Sequence, residues 1–178
     1  MGPALELDGA VAVVTGAGSG IGRAAALAFA VRGARVVVSD LDGQRATAVA
    51  AEIESGGGHA IALRTDVTDS AALEVLRAAC IGAFGPVDLV MNNVGVIAMG
   101  PPESLPLAEW QRVLDVNLLS VVRSNLVFLP GLLEQGRGHV VNTASVSGLL
   151  AQSGQEHEVA AHHAQQVHVE DALPLGQR

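Results

Sequence analysis

The feature that most constrains this chain is the run Thr15-Gly16-Ala17-Gly18-Ser19-Gly20-Ile21-Gly22, which links a β-branched stretch at 10–15 to an alanine-rich stretch at 21–32. Glycine at four of seven positions, between an expected strand and an expected helix, marks a loop that must turn tightly and admit a ligand close to its backbone. With no Cβ in the way, a pyrophosphate can approach the main chain, and the free N–H groups at the helix start point at the anion. A bare strand-to-helix turn needs far less glycine than this.

The rest of the chain continues the alternation. Short apolar runs at 10–15, 35–39, 60–65, 87–92 and 139–143 read as strands, and their unbroken hydrophobicity suits a parallel sheet covered on both faces. Alanine and leucine at helical spacing predict helices over 21–32, 43–54 and 70–84, with Asp69 and Ser70 suited to cap the third. A longer helix is expected over roughly 106–129, stopped by Pro130-Gly131. The fold class is therefore α/β: a Rossmann-type doubly wound parallel sheet of about five strands, incomplete at its C-terminal end. From Ala151 the composition shifts, with four of the six histidines and five glutamines in the last 28 residues. Residues 1–150 are expected to form the nucleotide-binding domain and 151–178 a poorly specified polar tail.

Charge and composition narrow the partners. A net charge of −8 gives nucleic acid and anionic membranes no general attraction, which leaves small molecules and proteins. The longest apolar stretch, 116–133, is interrupted by Asn117, Ser120, Arg123, Ser124, Asn125 and Pro130, so no membrane span is expected. The first residues lack the basic patch and apolar run of a signal peptide, and a cytoplasmic location is expected. The single cysteine, Cys80, reads as a helix core position.

Asp40 sharpens the ligand. It ends the second strand, 18 residues past Gly22, close to the spacing at which an acid accepts hydrogen bonds from a ribose diol. A carboxylate there repels a 2′-phosphate. With Ser19 uncharged and Leu41 directly after Asp40, the loop favours NAD over NADP, against the one basic residue nearby, Arg45. Read without a ligand, Asp40 is a cap for the next helix.

These residues resemble the short-chain dehydrogenase/reductase family, of the type with a Thr-Gly-x-x-x-Gly-x-Gly loop, from residue 7 to about 150. Asp66-Val67 matches the pair that contacts adenine in that family, and Asn92-Asn93-Val94-Gly95 matches its Asn-Asn-Ala-Gly element, with valine for alanine. Asn117 stands where the family has its catalytic asparagine, and Ser145 where it has its catalytic serine. The resemblance implies cofactor contacts from Thr15, Gly16, Ser19, Gly20, Ile21, Gly22, Asp40, Leu41, Asp66, Val67, Asn92, Asn93 and Gly95. It also implies NAD as cofactor, no metal, and a small alcohol or ketone as substrate. Each residue alone has a plainer reading: Asp66 as a cap, Asn92 and Asn93 as partners of strand-end backbone, Ser145 as a turn residue.

One half of the implied chemistry is missing. In the family a tyrosine about 13 residues past the serine transfers the proton, and a lysine four residues later lowers its pKa. Here those positions hold Glu158 and His162, and the whole chain contains neither tyrosine nor lysine. Glu158 and His162 share a helical face and form a conceivable substitute base. His157 and His162 are five apart, which misses the spacing of a zinc-protease helix. Three functions follow as expectations. The first is an NAD-dependent oxidoreductase impaired by the missing pair. The second is a non-catalytic NAD-binding module, homo-oligomeric or paired with a full-length relative through the 106–129 helix. The third is a product of a disrupted reading frame, for which a neighbouring frame of the coding DNA would encode a Tyr-x-x-x-Lys segment.

Overall fold

In the computed structural model, residues 6–100 and 102–145 are described. Five strands pair in parallel in the order β3-β2-β1-β4-β5: β1 Val11–Thr15, β2 Arg35–Asp40, β3 His59–Arg64, β4 Leu89–Asn92 and β5 His139–Asn142. The chain walks outward from β1 to β3, then returns to the other side of β1 for β4 and β5. All carboxyl ends therefore share one edge, and the order reverses between β1 and β4, where open α/β sheets form their ligand crevice.

Both faces of β1 are buried because valine and alanine occupy every position from Val11 to Val14. On one face Ala12, Val14, Val36 and Val38 meet Ala26 of helix α1 (Gly20–Val31) and Ala46, Val49 and Ile53 of α2 (Gly43–Ser55). On the other, Val11, Val13, Val37 and Val90 meet Leu73, Leu76 and Cys80 of α3 (Ser70–Phe84). Val127 and Phe128 complete that layer from the helix Ser120–Glu134. Burial pushes the Cys80 thiol up to about 12, so it packs as a small apolar group. The expectation of continuous burial fails at β5, where Val141 is exposed and only alternate residues are shielded.

The long helix departs from the sequence reading in two ways. It is α4 (Leu107–Leu114), a π-helical turn (Asp115–Leu119) and α5 (Ser120–Glu134) in succession. It also runs through Pro130 rather than stopping there. Proline removes the hydrogen bond to the Leu126 carbonyl, but Leu126 is 73% exposed, so water can reach that side. Leu132, buried beyond the proline, holds the last turn on the sheet layer. Gln135 then closes the end, its Nε2 donating to the carbonyls of Val87 (3.0 Å) and Gly131 (3.1 Å), and Gly136 turns the chain away at φ +63°. By length and apolar composition alone the 28-residue run Leu107–Glu134 would cross a bilayer, despite the polar residues that interrupt it. Here several of those polar residues face inward: Asn117, Ser120 and Ser124 are all buried.

Candidate active site

Each glycine of the loop after β1 has a separate cause. Gly16 and Gly20 take φ of +64° and +53°, a region that side chains disfavour. A Cβ on Gly22 would stand 2.3 Å from the Gly16 carbonyl oxygen, and one on Gly18 2.8 Å from Asp40 Oδ2. The loop thus folds back on itself and onto β2, where Ala17 donates its N–H to the Ser39 carbonyl at 2.9 Å. Ser19 offers α1 no side-chain cap, whereas Asp42 and Asp69 cap α2 and α3. Ser19, Gly20 and Ile21 are exposed at that uncapped helix start.

Asp40 lies one strand over. Its Oδ2 accepts the Gly18 N–H at 2.9 Å and its Oδ1 the Asp42 N–H at 2.9 Å, which fixes the carboxylate beside the loop. Asp42, which the sequence reading overlooked, is the true cap of α2, accepting from Gln44 and Arg45. It also takes the Arg45 guanidinium at 3.2 Å, while Arg64, opposite Asp40 in the β2–β3 register, donates its Nε to the Leu41 carbonyl at 3.1 Å. Leu41 is exposed beside it. Beyond β3, Asp66 accepts from the Thr68 N–H (2.9 Å) and hydroxyl (2.7 Å), and these bonds hold its carboxyl below the usual range. Val67 turns inward to the core.

Across the switch point the ends of β1, β4 and β5 are cross-linked by side chains. Thr15 Oγ1 accepts the Asn93 N–H at 3.1 Å, Asn93 Nδ2 donates to the Gly16 carbonyl at 3.3 Å, and the Thr143 hydroxyl donates to Asn93 Oδ1 at 3.0 Å. Asn92 Nδ2 reaches Asn142 Oδ1 at 2.9 Å, exploiting the register that places these two residues opposite. Asn142 and Thr143 escaped the sequence reading, because only the strand pairing shows which residues face Asn92 and Asn93.

Asn117 sits in the π-helical turn, 2% exposed. Its Oδ1 accepts the Val96 N–H at 2.8 Å and its Nδ2 donates to the Val96 carbonyl at 2.9 Å, so both ends of the amide clamp one peptide position of the segment after β4. Gly95 lies against it, with an added Cβ 3.8 Å from Asn117 Oδ1. The side chain holds the segment in place. Ser145, half-buried, follows β5 on the same edge. Glu158, His162, His157 and His163 lie outside the described residues, as does the proposed tail.

The donor set fits a dinucleotide: an uncapped helix start for a pyrophosphate, a loop packed so closely on Asp40 and on its own backbone that Gly18 and Gly22 admit no Cβ, and a carboxylate fixed one strand away for a diol. The sequence model described as short chain dehydrogenase matches residues 10–170. Cyclohexanol dehydrogenase of Acinetobacter sp. (strain SE19) is 37% identical over 159 residues, covering 89% of this chain and 63% of the relative. The 7alpha-hydroxysteroid dehydrogenase of Escherichia coli K12 is 38% identical over 144 residues, 80% of this chain and 56% of the relative. A crystal structure of a short chain dehydrogenase/reductase from Burkholderia phymatum in complex with NAD superposes with a TM-score of 0.87 at 40% identity, over 90% of this chain and 58% of that one. The chain thus spans less than two thirds of these relatives' length.

Proposed function

This chain belongs to the short chain dehydrogenase family, and on that premise we propose that it binds NAD along the carboxyl edge of its sheet, with impaired hydride exchange between NAD and an alcohol or ketone. The observation that carries the binding half is the glycine loop folded onto Asp40, with Gly18 N–H on the Asp40 carboxylate at 2.9 Å and α1 left uncapped. The backbone of Gly16, Ser19, Gly20, Ile21 and Gly22, with Thr15 bracing the loop, receives the pyrophosphate. Asp40 and Leu41 take the adenosine ribose, and Asp66 and Val67 the adenine. Asn92, Asn93 and Gly95 line the second nucleotide. NAD, when bound, supplies the hydride acceptor.

Ser145 orients the substrate oxygen, and Asn117 keeps the segment after β4 in place. Proton removal is the deficient step, because Glu158 and His162 stand at the positions of the family's tyrosine and lysine. A positioned base contributes about 10²–10⁴-fold, so turnover is expected to fall by that order relative to the full-length relatives. Residues 1–150 are the unit we assign to binding.

Calorimetry with NAD and NADP tests the binding half: NAD should bind at least about tenfold more tightly, a difference of about 1.4 kcal/mol. Absence of heat and of any thermal shift with NAD removes the proposal. NADH formation across a panel of secondary alcohols tests the other half, and rates equal to those of cyclohexanol dehydrogenase would refute the impairment.

A second reading, a non-catalytic module acting by association, is favoured by one observation. Leu119, Val122, Leu126, Leu129 and Leu133 are all exposed and follow one another at alternating spacings of three and four, a continuous apolar stripe along α5. Such a stripe suits a second copy or a full-length relative. Light scattering that gives a monomer at working concentrations, alone and mixed with a relative, would exclude it.

A further inference from the structure

The strand order fixes how a dinucleotide lies across the edge. With Asp40 of β2 at the adenosine ribose and the loop after β1 at the pyrophosphate, the second nucleotide extends over β4 and β5. That placement rests on the function proposed above. The ground beneath the second nucleotide is then the segment 93–97, and this segment is tied down along its length. Asn93 bonds the Gly16 carbonyl and Asn117 clamps Val96. The last tie comes from Arg112 of α4, whose Nη2 donates to the Ile97 carbonyl at 3.3 Å.

Arg112 is itself held. Its Nε bonds Glu109 Oε2 at 2.8 Å, one helical turn earlier, while its Nη2 reaches the loop. An exposed ion pair between Glu109 and Arg112 alone would stabilise α4 slightly and touch nothing else. The carbonyl contact is what links the helix to the segment under the second nucleotide. We propose that Arg112 is a positioning residue: by pinning the Ile97 carbonyl to α4 it sets the placement of segment 93–97, and with it the affinity for the nicotinamide half of the cofactor. The planar fork of arginine serves two partners at once, which the single ammonium of lysine does not reproduce.

The test compares NAD with ADP-ribose, which lacks the nicotinamide, in calorimetric titrations of the wild type, Arg112→Ala, Arg112→Lys and Glu109→Gln. Amide hydrogen exchange without ligand is followed in parallel. Arg112→Ala should weaken NAD about threefold to tenfold while leaving ADP-ribose unchanged, the scale of one hydrogen bond. The Val96 amide, bonded to Asn117, should exchange faster, and the amides of β1 should not. Arg112→Lys should restore little of the loss, and Glu109→Gln should give a smaller shift in the same direction. Equal weakening of both ligands, or no change in their ratio, overturns the proposal. If the wild type binds neither ligand, the proposed function itself falls; the tether is then judged on exchange alone, and an unchanged Val96 amide overturns it.

Discussion

The two sides of the switch point are built on different principles. On the side of β1, β2 and β3, valine and alanine, with isoleucine and leucine in β3, fill the strand interiors, and the loop rests on glycine geometry and backbone bonds to Asp40. On the side of β4 and β5, order depends on side-chain amides and hydroxyls: Asn92 with Asn142, Asn93 with Thr15 and Thr143, Asn117 with Val96. The first half tolerates little change in either shape or polarity, because β1 and β2 are buried on both faces. The second depends on the chemical identity of its partners, because each of its polar groups leaves a partner unsatisfied when removed.

The largest effect expected from this contrast is at Gly22. Gly22→Ala drives a Cβ into the Gly16 carbonyl, and the loop must rearrange; NAD binding should disappear from calorimetry, with stability lower by about 1–3 kcal/mol in urea melts. Retained affinity would show the adenosine side to be softer than its packing implies. Asn117→Ala comes next. It strands a half-buried N–H and carbonyl at Val96, at about 1 kcal/mol, and hydrogen exchange should rise after β4 while β1 and β2 stay protected. Uniform exchange across the sheet would erase the distinction between the halves.

Asp40→Asn keeps one acceptor oxygen and turns an NH2 toward the N–H of Gly18 or Asp42, so it should lower the melting temperature by a few degrees, lower NAD affinity about tenfold and narrow the gap to NADP, as melts and titrations with both cofactors would show. The smallest effect belongs to Asp66. Its folded pKa is depressed by Thr68, so its contribution is present above the unfolded value of 3.8 and fades as pH falls through the folded one. Asp66→Ala should therefore differ slightly from the wild type in urea midpoint above pH 3.8 and converge with it as pH falls below that value.

How much of this was legible in the sequence follows the same division. All five strands could be read from their apolar runs, and the loop and Asp40 from glycine spacing and position, because those features are local. The cap of α2 was missed: Asp42 precedes a helix start, but Asp40 drew the same signal two residues earlier. The continuation of α5 through Pro130 was hidden because tertiary burial of Leu132 overrides a local stop, and local pattern carries no trace of it. The partners of Asn92, Asn93 and Asn117 are 21 to 78 residues away in the chain, and only the folded register brings them together.

The π-helical turn at Asp115–Leu119 acts as a phase shifter. Each residue of an α-helix advances the side-chain direction by about 100°, so the extra residue in that turn rotates every later face of the helix by roughly that angle against α4. This offset lets Asn117, Ser120 and Ser124 point inward while Leu119, Val122 and Leu126 point out. A deletion of one residue there would remove no strand, yet it would rotate α5 by about 100° against α4 and so exchange which of its side chains face the sheet and which face solvent.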